Sequence, residues 1–256
     1  RISLRLKMKL NHYIILSFAT GGLAWAAAPL PLKEADVIEA IGSVWRLPEQ
    51  GPKVRATKQM HLQAPDGLRT DSQSRAELLA ADGTITRLGA DTDFKFHQDP
   101  RTFILNRGSL LFHSPTGRGG GKIHSRAASA TVRGTTFTVA ATMEGGFKVL
   151  VQEGRAEVAF TTGRRLQLEA GQMTFVLPAG GGAGAPGAVH NFDLGRQVKA
   201  SRLIHGFARP LPSQAKIDQA VEGQRRAVGQ GQYVATGFLV FTATSDTQVN
   251  GIEAAG

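Results

Sequence analysis

The stretch that decides the fold is "SATVRGTTFTVAATMEGGFKVLVQEGRAEVAF", residues 129–160. Apolar and polar side chains alternate along most of it, and Gly145-Gly146 and Glu153-Gly154 interrupt the alternation as turns do. This pattern predicts consecutive antiparallel strands. The alternation changes phase at Arg133-Gly134-Thr135, where two residues occupy the place of one, and this predicts a β-bulge with Gly134 at positive φ.

The side chains around the phase change are expected to have different roles. We interpret Gly134, Thr135, Phe137, Gly154 and Gly171 as structural residues of strands and turns, because glycine suits turns while threonine and phenylalanine suit a pleated sheet. Arg133 is expected to point to solvent or to pair with an acid. It is the candidate residue for contact with a partner.

The same alternation extends outward from this stretch. Turn signals recur roughly every 8–12 residues from Ala35 to Leu177, which is typical of all-β domains. Asp82-Gly83 predicts a hairpin within residues 75–89, Phe94 and Phe96 are expected on one face, and Gly108 predicts a turn within residues 101–114. We therefore predict an all-β, antiparallel stacked-hairpin or β-sandwich domain over residues 35–178.

The N-terminal residues read as an export signal. Residues 1–28 combine basic residues, an apolar run from about Tyr13 to Trp25 and the small-residue sequence "AWAAAP", the three parts of a signal peptide. Cleavage near Ala26–Ala28 is expected, so the protein is predicted to be periplasmic or secreted. An uncleaved anchor is the alternative, and the mature chain is expected to have no membrane span.

The C-terminal part has a different pattern. Residues 179–188, "AGGGAGAPGA", predict a flexible linker. Residues 189–256 predict a helical extension with a final strand that docks on the β domain. The first helix is expected to use Leu194, Val198, Leu203 (or Ser201) and Phe207 as one face. Ser213 is expected to cap a second helix that turns Ile217, Val221 and Val228 inward and ends near Gly229 or Gly231.

Composition excludes several classes of site. The 256 residues contain no cysteine, so disulfides, thiol nucleophiles and thiolate metal sites are absent. The formal net charge is +10, but the charges are dispersed and are not interleaved with aromatic residues. A nucleic-acid partner is therefore not expected.

Three local motifs resemble known kinds of chemical site. In "TGRGGGK" (residues 116–122), the spacing from Gly117 to Lys122 is one residue shorter than in a phosphate-binding P-loop, and Ile123 stands where that motif requires Ser or Thr. His97, His113 and His124 lie near predicted strand ends, but zinc needs three or four converging ligands. Asp91 and Asp93 could point to one face of a strand, where paired glycosidase carboxylates would converge, although acids beside a glycine turn are more often solvated. We expect no cofactor, no metal and no catalysis.

Five ordered segments resemble the FecR domain family. They are "SRAELLAADGTITRLGADTDFKF" (74–96), "FILNRGSLLFHSP" (103–115), "KIHSRAASATVRGTTFTVA" (122–140), "VLVQEGRAEVAF" (149–160) and "LEAGQMTFV" (168–176). The resemblance implies an all-β, extracytoplasmic domain. In the best-known members this domain belongs to an inner-membrane sigma-factor regulator, which receives a signal from an outer-membrane receptor during iron uptake. The family offers no catalytic residues to transfer.

The leading hypothesis is a non-enzymatic, exported FecR-type binding or envelope-scaffold module whose partner is an envelope protein or a glycan. A component of trans-envelope sigma-factor signalling of the iron-uptake type is the first alternative. Direct sigma-factor regulation is not expected, because the family's anti-sigma segment and transmembrane helix precede the β domain and only a leader is found here. A carbohydrate-active enzyme using Asp91 and Asp93 is the second alternative.

Overall fold

The computed structural model describes residues 31–177 and 187–231, together with the backbone of residues 238–239 and 253–254. The leader predicted at 1–28 and most of the linker predicted at 179–188 lie outside the described residues. The domain boundaries that depend on them remain predictions.

The described chain is mostly β structure, which confirms the predicted fold class. In chain order the strands are β1 (Glu34–Ile41), β2 (Val44–Leu47), β3 (Val54–Arg55), β4 (His61–Gln63), β5 (Gly67–Thr70), β6 (Arg75–Leu79), β7 (Ile85–Leu88), β8 (Asp93–Phe96), β9 (Thr102–His113), β10 (Gly121–His124), β11 (Ala128–Val132), β12 (Thr136–Ala141), β13 (Phe147–Glu153), β14 (Arg155–Phe160), β15 (Arg165–Glu169), β16 (Gln172–Val176) and β17 (His190–Asn191). The helices are α1 (Leu194–Ala200), α2 (Arg202–His205) and α3 (Gln214–Gly229). Two short strands, β18 (Phe238–Leu239) and β19 (Glu253–Ala254), pair separately.

The first 17 strands form one connected sheet that β9 divides into two layers. The second half of β9 pairs with β7 and β12 in layer A, whose order is β4-β1-β6-β7-β9-β12-β13-β16-β17. Its first half pairs with β8 and β10 in layer B, whose order is β3-β2-β5-β8-β9-β10-β11-β14-β15. The β9–β10 pair is parallel and the other pairs are antiparallel.

An aromatic cluster fills the space between the two layers. Its members are fully buried or nearly so, and successive ring centroids lie 5.3–5.8 Å apart: Phe94, Phe96, Phe103, Phe112 and Phe137. Edge-to-face and offset pairs at such distances add to the stabilisation from burial. The expectation that Phe94 and Phe96 share one face is confirmed.

The helices cover the other face of layer A. Leu150 and Met173 of that face pack in a second apolar cluster with Leu194, Val198 and Ile217 from the helices. The central strands of layer A are therefore buried on both sides, and every residue of β7 and β12 is buried. In contrast, β14 of layer B alternates between exposed and buried residues because one of its faces meets solvent.

A glycine predicted as a turn proves to be a bend inside a strand. Gly108 lies in the unbroken strand β9, where the strand passes from layer B to layer A. Its φ is +91°, and a Cβ atom there would lie 2.4 Å from the Cα of Thr92. The predicted turn at Gly108 is wrong because a glycine between two apolar runs is compatible with both a hairpin and a layer crossing.

The helical extension also differs from its prediction in detail. The predicted first helix is divided into α1 and α2 at Ser201, which has extended backbone angles. The second helix follows Ser213 and ends at Gly229, as predicted, and Ile217 is buried. The predicted cap is wrong in its side chain: Ser213 makes no capping hydrogen bond, and its Oγ lies 2.7 Å from Thr136 Oγ1 instead. Val228 is 44% exposed rather than inward, because helical periodicity marks a face without showing how far along the helix that face is covered. The predicted final strand lies largely outside the described residues.

Candidate partner-binding corner

The phase change at Gly134 is a corner between layers. β11 of layer B ends at Val132 and β12 of layer A begins at Thr136. Gly134 has φ +64°, in the left-handed region that the sequence predicts for it. The predicted bulge is misplaced, because residues 133–135 connect two strands; the actual register irregularity follows in the β12–β13 pair, between Thr136 and Phe137.

This corner interlocks with the next layer crossing, at Gly154. The Thr135 hydroxyl donates to the carbonyl oxygen of Arg155 at 2.8 Å, and the Arg155 N–H donates back to Thr135 Oγ1 at 3.3 Å. A Cβ atom at Gly154 would lie 2.8 Å from Thr135 Oγ1. The corner after β15 is tied down similarly, by the Gly171 N–H donating to the Val151 carbonyl at 2.9 Å. Thr135, Gly154 and Gly171 therefore all make contacts that hold the corners between the layers.

The surface of the corner is basic. Arg133 is exposed, and the loop that carries exposed Arg118 packs against it: a Cβ at Gly120 would lie 2.9 Å from the Cα of Arg133. Arg155 and Lys216 border the same surface with 79% and 57% exposed side chains. We call Arg118, Arg133, Arg155 and Lys216 the basic corner.

Two acids touch the basic corner. Glu169 lies 3.2 Å from Arg155, and largely buried Glu153 lies 3.7 Å from Lys216. Among the ion pairs of residues 31–177 and 187–231, none involves Arg118 or Arg133. Both guanidinium groups are therefore available to an acidic partner.

A buried polar cluster lies beneath this surface. His113 Nδ1 lies 2.9 Å from Thr136 Oγ1, and the Thr136 hydroxyl lies 2.7 Å from Ser213 Oγ and 3.3 Å from Glu153 Oε2. Burial, together with the positive charges of Lys216 and Arg87, lowers the pKa of His113 to about 4. Because His113, Thr136 and Ser213 are buried and hydrogen-bonded to one another, they join β9, β12 and the start of α3.

A second polar anchor holds the extension at Arg87. This fully buried side chain donates to Glu77 Oε2 at 2.8 Å and to the carbonyl oxygens of Leu203 and Ile204 at 3.0 and 2.9 Å. Its guanidinium lies 4.6 Å from the Phe207 ring centre. Burial lowers the pKa of Arg87, while the bond to Glu77 opposes the shift. The predicted docking of the extension on the β block is therefore observed.

The glycine-rich loop does not have the surroundings of a phosphate site. Residues 114–120 connect β9 to β10, and no helix follows them. Arg101 donates to the Gly120 carbonyl at 2.7 Å and pairs with buried Asp82 at 2.9 Å. The loop is thus held from below by a structural ion pair.

The three histidines do not meet. His113 belongs to the buried cluster, whereas His97 and His124 line a shallow pocket with Ile104 and Asn106 on the open face of layer B. Burial, followed by the charges of Lys122 and His97, lowers the pKa of His124. In the described parts of the chain, no three metal-binding side chains converge.

The two aspartates also have separate surroundings. Asp93 accepts from Arg69 Nη2 at 2.6 Å and from Asn106 Nδ2 at 3.2 Å. Asp91 is an exposed turn residue with φ +51°. Asp93 is therefore held in an ion pair with Arg69 and a hydrogen bond with Asn106, which is the environment of a structural carboxylate.

Comparisons with known proteins give a family match and similar solved structures. Residues 66–157 match the family described as FecR protein. Two crystal structures of a candidate anti-sigma factor from Parabacteroides distasonis are similar, with TM-scores of 0.45 and 0.44 and 21% identity in both cases. Each similarity covers 52% of this chain and 63% or 62% of the other, so the chain spans less than two thirds of those proteins.

No curated protein matches the chain. None of the helices in the described residues has the length and apolar character to cross a membrane. The family match is narrower than the resemblance seen in the sequence and runs from the start of β5 into β14. Over residues 66–157, the chain matches the FecR family.

Proposed function

We propose that this protein is a non-enzymatic, exported binding or scaffold module with a signalling-related role, and that it acts by contacting an acidic segment of a protein partner through the basic corner. The family match supports the signalling-related role. The observation that carries the site is the pair of exposed guanidinium groups of Arg118 and Arg133, which no acid within residues 31–177 and 187–231 pairs with and which both lie inside the matched segment.

The chemistry of the corner suits carboxylates. Guanidinium groups bind carboxylates through paired, charge-assisted hydrogen bonds, and clustered cations attract an acidic partner over a distance that salt shortens. The backbone beneath is already tied by the Thr135–Arg155 hydrogen bonds. Binding would therefore order few new groups, which reduces the entropic cost of association.

The compartment and the absence of catalysis belong to the same proposal. The leader-like composition of residues 1–28 supports export, and a fold free of cysteine needs no oxidising enzyme. Trans-envelope sigma-factor signalling is the second candidate, because the FecR family match favours it. The carbohydrate-active alternative has less support, since Arg69 and Asn106 engage Asp93.

Site-directed crosslinking tests the proposal. Because the chain has no cysteine, Thr116→Cys places a single thiol for a photo-crosslinker on the exposed loop beside Arg133. We expect the labelled protein, in its native cells, to capture a discrete protein. Adding Arg133→Glu should abolish capture, whereas adding Arg126→Glu, the same reversal at an exposed position in the β10–β11 turn, should not.

Three outcomes would overturn the proposed site or activity. Capture that is insensitive to Arg133→Glu would show that the basic corner is not the contact. Equal loss with both reversals would indicate a general effect of net charge. Reproducible turnover of a glycan by the purified chain, abolished by Asp93→Asn, would show that the protein is an enzyme.

A further inference from the structure

The edge strands of the two layers differ in length. β4 and β17 end layer A with 3 and 2 residues, and β3 ends layer B with 2. Such short edges protect a sheet against unwanted pairing. β15, the other edge of layer B, has 5 residues, and among the described strands only β14 pairs with it. It is the edge best suited to accept another strand.

Hydrogen-bond parity shows which groups of β15 face outward. The Phe160 N–H donates to the carbonyl of Arg164 at 2.9 Å, so in this antiparallel pair the even-numbered residues Leu166 and Leu168 bond to β14. The backbone groups of Arg165, Gln167 and Glu169 therefore point away from the sheet. The Glu169 N–H donates to Gln172 Oε1 at 2.9 Å. The outward N–H groups of Arg165 and Gln167 have no such acceptor among the described residues and can bond to a new strand.

The sequence of β15, "RLQLE", is complementary to itself in reverse. We propose that β15 pairs antiparallel with β15 of a second copy of this chain about a two-fold axis at Gln167. Arg165 then lies opposite Glu169 of the second copy, Gln167 opposite Gln167, and Leu166 opposite Leu168. Opposite charges directly across two strands stabilise the pair, whereas like charges destabilise it.

Burial within β15 agrees with this pairing. Leu168 is fully buried, whereas Leu166 is only partly covered at the edge of the core. A second copy would place its Leu168 beside Leu166 and extend the apolar row. On the opposite face, Arg155 already lies 3.2 Å from Glu169. The second copy's Arg165 would continue this row as an alternating ladder of charges.

Charge reversal tests the pairing in solution. Sedimentation equilibrium of the full chain should show a concentration-dependent dimer. Arg165→Glu alone, or Glu169→Arg alone, should raise the dimer dissociation constant about tenfold or more, because each change places like charges opposite one another twice. The double reversal should restore the dimer. Arg126→Glu, an equal change in charge at an exposed position in the β10–β11 turn, should leave it intact.

A backbone variant tests the ladder directly. Gln167→Pro removes an outward N–H that β14 does not use, so the dimer should be lost while the melting curve stays close to that of the parent. Gln167→Thr keeps the N–H and should still form the dimer. A parent chain that is monomeric at all concentrations, or a dimer that survives both single reversals and Gln167→Pro, would overturn the proposal.

Discussion

Replacing Gly134 with valine tests the corner that joins the two layers. At φ +64°, the left-handed conformation is unfavourable by about 1–2 kcal/mol for a residue with a Cβ atom, and by more for a β-branched residue. The new Cβ would also lie 3.1 Å from Thr116 Cα, a tight contact that the exposed loop can relieve only in part. We expect Gly134→Val to lower the free energy of unfolding by about 2–3 kcal/mol.

Two further variants separate these contributions. Gly134→Asn keeps the contact with Thr116 but tolerates the left-handed region, so it should cost less than valine. Gly145→Ala has φ +89° and no atom within 4 Å of its new Cβ, so it should report the backbone cost alone, about 1 kcal/mol.

The measurement is equilibrium unfolding in urea, with the dependence on denaturant compared between variants to establish that the unfolded states are alike. A Gly134→Val protein as stable as the parent would refute the corner as described. So would an asparagine variant less stable than the valine variant, because the left-handed backbone conformation would then not account for most of the lost stability.

Three other predictions concern the anchors and the core. Arg87→Met should destabilise by about 3–5 kcal/mol, since it leaves buried Glu77 with only the half-exposed Arg209 as a cationic partner; Arg209→Met, which removes that 56% exposed side chain but keeps Arg87, should cost under about 1 kcal/mol, and limited proteolysis should release the helical extension in the first variant only. The pKa of His113 is depressed to about 4, so the free energy of unfolding should fall as the pH drops from about 6.5 to about 4, by up to about 3 kcal/mol; His113→Gln should reduce this slope in urea titrations, and an unchanged slope would refute the assignment. Phe137→Ala should cost about 3–5 kcal/mol in guanidinium unfolding, whereas Val228→Ala, at an exposed position, should stay within about 0.5 kcal/mol; similar losses would contradict the described core.

The alternation of apolar and polar residues predicts the structure correctly where each residue's role depends on its neighbours in sequence. The hairpin at Asp82-Gly83 appears as β6 and β7, and the alternation of β14 matches its single solvent face. The same reasoning failed at Gly108, where a glycine between apolar runs marks a crossing between layers. It also misjudged Val228, because the extent of helix coverage depends on elements that are distant in sequence.

The candidate site could be only partly recognised in advance. Arg133 was singled out because it stands beside the phase change, but nothing in its neighbourhood along the chain indicates Arg118 or Lys216. Lys216 lies in α3 and reaches Thr116 Oγ1 at 3.4 Å, across about 100 residues of sequence. The polar cluster of His113, Thr136 and Ser213 was missed for the same reason. The sequence signal that could have indicated this cluster is the polar character of Thr136 and Thr138, which alternate with core residues in β12.

The sequence by itself determined the class of the fold, its family resemblance and the positive φ of Gly134, because alternation and glycine stereochemistry act over a few residues. Only the tertiary structure decided that β9 serves two layers, that the helices bury the outer face of layer A, and that four basic side chains share one corner. Those features depend on contacts between distant segments, whose free energy is gained only when the layers pack together. No short window of sequence contains that information.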